Sequence, residues 1–155
     1  MRKEIFMFTI TYNSPIGPLY IAERDGAISH LVFSPLTAEE RETPLLKQCA
    51  AQLDAYFAET LRDFDLPLAP AGTEFQRRVW QTLQTIPYGT TWSYKMLAEA
   101  ADCPKGYRAV GLANNRNPIS ILIPCHRVVG ASGGLTGYGG GLPNKEYLLK
   151  LEGVL

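Results

Sequence analysis

The sequence predicts an α+β chain, with an antiparallel sheet and a helix first and a mainly helical region after it. Three observations carry this reading. Short β-type runs, "EIFMFTITY" (4–12), "PLYIAER" (18–24) and "AISHLVF" (27–33), open the chain. From residue 73 onward the apolar positions recur at helical spacing. Between the two regions "DLPLAPAGT" (65–73) holds two prolines and a glycine, which marks a linker. The expected division is one domain over 1–68 and a second over 69–155.

Asp25-Gly26 between the second and third runs is a hairpin signal, and "NSPIGP" separates the first run from the second. Together they make an antiparallel meander. Thr43-Pro44 reads as N-cap and first position of a helix with Leu46, Ala50, Leu53 and Phe57 on one face. Cys49 falls inside that helix and reads as a small buried hydrophobe. Thr73 and Gln76 have capping-box spacing, followed by Phe75, Val79, Leu83 and Ile86 on one helical stripe that "PYGT" ends. Ser93 can cap "YKMLAEAA", and Pro104 opens a further helix through "KGYRAVGLANN". Two short helices joined by a tight turn fit a helix-turn-helix, a pattern that ordinary core helix pairs share. "ISILI" (119–123) reads as a buried strand and "GASGGLTGYGGG" (130–141) as a glycine-rich loop without a P-loop lysine. Leu142-Pro143 opens the last helix, and Gly153 closes it.

The 155 residues are 46% apolar and 19% charged, the balance of a folded chain. The net charge of zero hides an asymmetry. Residues 1–72 carry six Lys/Arg against ten Asp/Glu, net −4, and residues 73–155 carry nine against five, net +4. A basic half beside an acidic one points to an anionic partner such as nucleic acid, or to a solvated surface of mixed charge. Cys49, Cys103 and Cys125 are odd in number and show no CxxC spacing, and His30 and His126 are the only histidines. No disulfide framework, zinc site or cofactor motif is expected, and free thiols fit a reducing, cytoplasmic location. The opening "MRKEIFMFTITYNSPIGPL" is interrupted by Thr9, Thr11, Tyr12 and Asn13 and lacks a small-residue cleavage site, which reads against a signal peptide. No stretch is long enough to span a membrane.

The chemistry concentrates in "ILIPCHRVVG" (121–130), where an apolar run ends at Pro124 and Cys125 stands beside His126. A thiolate is the nucleophile, so a neighbouring base matters. Adjacent residues of a straight strand point to opposite faces, so His126 serves Cys125 only if the backbone turns there or a water bridges them. The alternative is a buried cysteine beside an exposed histidine. Glu152 occupies the last turn of the final helix, where the helix dipole disfavours a carboxylate by about 0.3–1 kcal/mol. A histidine partner would offset that, giving a nucleophile–base–orienter relay. A solvated glutamate at a frayed end is the other reading.

"PCHRV", with "NPISILI" before it and "LLKLEG" near the end, closely resembles the O6-alkylguanine-DNA alkyltransferase family, constitutive bacterial type. The likeness continues through "GTEFQRRVWQTLQTIPYGTTWSY" and "RAVGLANNRNP" and covers essentially all of 73–155. It implies a ribonuclease-H-like first domain and a winged-helix-like second one. It also implies a DNA repair reaction: a guanine alkylated on O6 is flipped out of double-stranded DNA, and the alkyl group moves irreversibly to a cysteine, once per molecule. O4-alkylthymine is a second substrate the resemblance raises, and the residues do not decide it. By position Cys125 resembles the acceptor, His126 its base through a water, and Glu152 the carboxylate orienting that base. Tyr94 resembles the proton donor to guanine, Asn117 the link from recognition helix to active-site segment, and Lys145 a lysine supporting the acceptor. Arg108 resembles the finger filling the flipped base's place, with Tyr107, Ser93 and Arg116 beside it on the DNA face. Tyr138, Gly139, Val128 and Trp80 are the implied substrate-pocket residues. The implied partner is DNA alone, bound by a monomer with no cofactor, metal or membrane.

The roles fit elementary chemistry. A base inside a duplex hides its O6, so it must leave the stack at a cost of a few kcal/mol. Arginine can stack in the gap as well as pair with phosphate. Guanine leaves poorly as an anion, so a proton donor assists the sulfur. One departure stands out: Tyr107 precedes Arg108 where the family usually carries a small residue. Two other function classes remain in view. A non-catalytic reader of alkylated DNA would lack the acceptor cysteine, which this chain has. A Cys–His hydrolase would leave the helix-turn-helix and Arg108 without a purpose.

Overall fold

The computed structural model describes residues 7–155, so the first three residues of the expected 4–12 run lie outside the described residues. The chain divides into two compact units, one up to Pro70 and one over Ala71–Leu155.

The first unit begins with the expected meander. Strands β1 (Met7–Ser14), β2 (Gly17–Arg24) and β3 (Ala27–Val32) pair antiparallel in sequence order. Asp25 and Gly26 both have positive φ, 52° and 80°, the geometry of a two-residue hairpin turn that follows the strand twist. Ala22 pairs with His30 and Glu23 with Ile28, so Ser29 is an extra residue on β3. Ile28 and Ser29 are consequently both buried, and the Ser29 hydroxyl donates to the Ala22 carbonyl at 3.4 Å.

The sheet is mixed and not purely antiparallel as expected. Glu39–Glu40 forms β4, parallel to β1, and the strand order is β3-β2-β1-β4. Two exposed glutamates carry no strand signal. Their place is set by backbone pairing to β1, extended by Arg41 N–H donating to the Thr9 carbonyl at 3.1 Å.

Helix α1 (Pro44–Phe57) starts where Thr43 caps it, the side chain accepting from Leu46 N–H at 3.1 Å. Its buried face is Leu46, Cys49, Leu53 and Tyr56, rotated from the expected one, and Ala50 and Phe57 are half-buried. Both sets obey helical spacing, and burial of the larger Tyr56 against Phe64 decides between them. Each fully buried apolar side chain here contributes roughly 1.5–3 kcal/mol. The expected linker is partly structured, because Ile28 N–H donates to Pro67 O and Ala69 N–H to Ile28 O, at 2.8 and 2.9 Å.

The regular structure of the second unit is helical apart from a ladder of two residue pairs. Helix α2 (Glu74–Leu83) carries the full capping box between Thr73 and Gln76. Trp92–Ser93 (β5) pairs parallel with Val128–Val129 (β6). Helix α3 (Tyr94–Ala100) is capped by Ser93, whose hydroxyl accepts from Met96 N–H at 3.1 Å. Helix α4 (Tyr107–Asn115) begins three residues after Pro104, because Asp102 turns left-handed (φ 59°) and Gly106 N–H closes a turn onto Cys103 O at 2.9 Å. Helix α5 (Leu142–Leu151) ends at Glu152, followed by Gly153 at φ 81°.

"ISILI" is buried but is not a strand. Leu122 N–H donates to Ser120 O at 2.8 Å and Ile123 N–H to Ile119 O at 3.0 Å, so the segment coils on itself. Ile121 sits at φ 71°, a conformation that costs a β-branched residue roughly 1–3 kcal/mol and breaks any extended run. Strand β6 forms only after the chain has turned through Cys125.

Candidate active site

After Pro124 the backbone makes a 3-10 turn over Cys125–Arg127, held by Cys125 N–H to Ile123 O (2.8 Å) and Arg127 N–H to Pro124 O (3.0 Å). Consecutive side chains on such a turn splay by about 120° instead of alternating. Cys125 and His126 are therefore both inside, at 5% and 0% exposure, and the exposed-histidine alternative does not hold.

His126 Nε2 lies 2.7 Å from Glu152 Oε2. Glu152 is a buried carboxylate, and Arg127 and Gly89 also bond to it. Arg127 forks onto it, Nε donating to Oε1 at 2.8 Å and Nη2 to Oε2 at 3.2 Å, and Gly89 N–H donates to Oε1 at 3.2 Å. The third arm of Arg127, Nη1, donates to the Ile86 carbonyl at 2.7 Å. Burial alone would raise the Glu152 carboxyl, but the hydrogen bonds from His126 and Arg127 and the Arg127 charge outweigh it and hold it well below the carboxylate range. These partners offset the unfavourable place at the C-terminus of α5. Burial pushes His126 below its ordinary value, against the pull of Glu152. The permanent cation of Arg127 keeps Glu152 ionised while His126 stays neutral. An ionised carboxylate only accepts, so the His126 proton is on Nε2. Nδ1 is left as a lone-pair acceptor, buried and without a hydrogen-bond partner among the described residues.

Burial raises the Cys125 thiol, while hydrogen bonding from Asn117, the Lys145 charge and the Ser120 hydroxyl oppose it. The resting group is a thiol surrounded by groups that favour the thiolate. Asn117 braces the coil leading to it, its amide donating to Ile123 O at 2.8 Å and its oxygen accepting from Ile119 N–H at 2.9 Å. Lys145, in the first turn of α5, is fully buried and donates to Val128 O and Thr136 O, both at 2.6 Å. Burial lowers its ammonium, and the nearby Cys125 favours the charge. Val128 contributes this carbonyl from β6, its side chain fully buried. Burial pushes the Tyr138 hydroxyl well above its ordinary value, against a bond to Ser120. Gly139 is exposed, and a Cβ there would meet nothing within 4 Å.

Tyr94 opens α3 with its hydroxyl 3.0 Å from Thr136 Oγ1. It shares a cavity of about 250 Å³ with Ser93, Lys95, Tyr107 and Ala131. Tyr107 and Arg108 are exposed on the first turn of α4. Arg116 is exposed at the other end of that helix, about 13 Å along its axis from Tyr107. Trp80 is 2% exposed, and its indole N–H donates to Ala113 O at 2.8 Å, tying α2 to α4. Sequence reasoning missed Arg127, Ser120 and Thr136. Arg127 lies inside the quoted "PCHRV", but only the turn geometry reveals that it and His126 share one carboxylate.

Two family models cover nearly the whole chain: the ribonuclease-like domain of 6-O-methylguanine DNA methyltransferase over 7–70, and its DNA binding domain over 74–154. A methylated-DNA–protein-cysteine methyltransferase of Methanosarcina barkeri is 50% identical, covering 94% of this chain and 97% of its own length. One of Mycolicibacterium paratuberculosis is 53% identical, covering 92% and 90%. The crystal structure of Mycobacterium tuberculosis OGT in complex with DNA superposes with a TM-score of 0.86 at 47% identity, covering 95% of this chain and 92% of that one. With both halves matched and relatives this similar along almost their full length, the chain belongs to the 6-O-methylguanine DNA methyltransferase family.

Proposed function

We propose that this protein repairs DNA by moving the alkyl group of an O6-alkylguanine to the sulfur of Cys125, once per molecule. The observation that carries the assignment is the unpartnered Nδ1 of His126, whose ring is locked by the Glu152–Arg127 pair beside a buried thiol. In the reaction the Cys125 proton passes to His126 Nδ1 through a water. The sulfur attacks the alkyl carbon, an S–C bond forms and the C–O6 bond breaks with its electrons going to guanine. Tyr94 supplies a proton to the guanine ring, so a neutral base departs. The product is a thioether, which has no ready leaving group, and the site is spent.

Delivery falls to the face around α4. The damaged base leaves the stack, Arg108 takes its place, and Tyr107, Ser93 and Arg116 lie along the strand. Tyr138 and Gly139 line the pocket from the glycine-rich loop. The protein works on double-stranded DNA as a monomer in the cytoplasm. No helix among the described residues is long and apolar enough to cross a membrane.

The test is intact mass spectrometry after incubation with duplex DNA containing O6-methylguanine. One methyl gained on the Cys125 peptide, saturating at one per molecule and absent in Cys125→Ser, is the expected result. An unchanged mass with tight binding would make the protein a reader, and continuous release of acid from an ester would make it a hydrolase.

A further inference from the structure

Thr136 lies in the glycine-rich loop, and three of its groups are engaged. Its hydroxyl is 3.0 Å from the Tyr94 hydroxyl. Its carbonyl accepts from Lys145 Nζ at 2.6 Å. Its methyl stands 3.4 Å from where a Cβ on Gly130 would be, so it packs on the base of a loop closed by Gly130 N–H to Gly134 O at 2.8 Å. Tyr94 is held at its other end by α4: the ring lies 3.5–3.6 Å from the Cβ position of Gly111. The phenol thus has a fixed ring and a hydroxyl that meets one threonine on a loop anchored by Lys145.

We propose that Thr136 is a positioning residue of the transfer reaction, aiming the Tyr94 hydroxyl and donating a hydrogen bond to its oxygen as its proton leaves. This rests on the alkyl-transfer reading above. A threonine hydroxyl can accept and donate in turn. At rest it can accept from Tyr94. When the base arrives, the Tyr94 O–H turns to the guanine ring and Thr136 reverses its bond, placing its own hydrogen on the phenolic oxygen. As the C–O6 bond breaks and the Tyr94 proton moves to guanine, negative charge collects on that oxygen. A hydrogen bond to a charged oxygen is stronger than one to a neutral oxygen, so the contact favours the transition state over the ground state. Lys145 holds the Thr136 backbone, which couples the loop that carries the acid's partner to the lysine beside the acceptor sulfur.

Thr136→Val keeps the methyl and the carbonyl and removes only the hydroxyl. The measurement is the single-turnover rate of methyl transfer to Cys125 at saturating O6-methylguanine duplex, with DNA affinity and thermal midpoint recorded alongside. Thr136→Val is expected to be about tenfold slower, the worth of one hydrogen bond to a developing charge. Thr136→Ser is expected within about twofold of the wild type, by the same hydrogen-bond argument. In a Tyr94→Phe background Thr136→Val is expected to have no further effect, while affinity and midpoint stay unchanged. A wild-type rate for Thr136→Val overturns the proposal, as does an equal loss in the Tyr94→Phe background or a serine variant as slow as valine. If the wild type itself transfers nothing to Cys125, the functional reading fails first and this inference falls with it.

Discussion

Replacing Glu152 by Gln changes one atom type in a fully buried site and is expected to switch off the base without emptying the cavity. Glu152 accepts from His126 Nε2, Arg127 Nε, Arg127 Nη2 and Gly89 N. A glutamine has one acceptor oxygen and one donor amide. With its oxygen toward Arg127 Nε and Gly89, the amide meets His126 Nε2 and Arg127 Nη2. With the amide reversed, it meets Arg127 Nε and Gly89, two donors that cannot become acceptors. The first orientation wins, because histidine alone can adapt by moving its proton from Nε2 to Nδ1. That places an N–H where the lone pair must be to receive the Cys125 proton. Loss of a general base costs about 10²–10⁴ in rate. The same change leaves Arg127 without a counter-charge, and breaking a buried ion pair costs about 3–5 kcal/mol. The retained bonds from Arg127 to the amide oxygen and to Ile86 put this variant near the low end. At about 3 kcal/mol the midpoint of a unit the size of Ala71–Leu155 falls by roughly 12–24 °C. Both effects are measurable below the lowered midpoint, by single-turnover methyl transfer and by thermal unfolding. Transfer by Glu152→Gln within tenfold of the wild type would refute the tautomer argument, even if the protein melts as expected.

The same cluster makes stability depend on pH. Glu152 sits below its unfolded value of 4.5, so its contribution is complete above that pH and is lost as pH falls through the folded value. His126 sits below its unfolded value of 6.5, so the unfolded chain takes up a proton first and stability starts to fall below about pH 6.5. Urea midpoints are expected to drop steadily from pH 7.5 to pH 4, and a midpoint that is flat or rises on acidification would contradict the assignment. Trp80→Phe is expected to cost about 1 kcal/mol, the net worth of its bond to the Ala113 carbonyl. Its transfer rate is expected to equal that of the wild type, since Trp80 belongs to the core; a rate loss at unchanged midpoint would place it in the substrate pocket.

What the sequence revealed and what it concealed divide by range. Thr43, the Thr73–Gln76 box and Ser93 all cap helices as their spacing predicts, because a cap is an interaction within three residues. The Asp25-Gly26 hairpin is local in the same way. Strand β4 was hidden because its place depends on a neighbour about 30 residues away and not on its two glutamates. The buried coil at 119–123 has the composition of a strand but no partner strand at hand, and Asn117 satisfies its backbone instead. In the site, the His126–Glu152 pairing could be reasoned from residue types, since a carboxylate at a helix C-terminus needs a partner to offset the dipole. Arg127 could not, because a second donor on the same carboxylate follows only from three consecutive side chains splaying around one turn. Thr136 was concealed by the loop that carries it, whose glycines leave its path undetermined by pattern.

Three cysteines in one chain show why neighbours and not exposure decide which thiol reacts. Cys49 is buried on α1, and burial pushes its thiol up to about 12 with nothing to oppose it. It behaves as a hydrophobe. Cys103 is half-buried between α3 and α4, more open than either of the others. Cys125 is nearly as buried as Cys49, and burial raises it too, yet Asn117, Ser120 and Lys145 pull the other way and His126 offers a free lone pair. A thiol held this way has little thiolate at rest and little surface, which protects it from electrophiles in solution. On the proposed function it becomes a nucleophile only when an electrophilic carbon is carried in and the proton has somewhere to go. Selectivity for a damaged base then comes from delivery and proton management together, and neither property belongs to the sulfur itself.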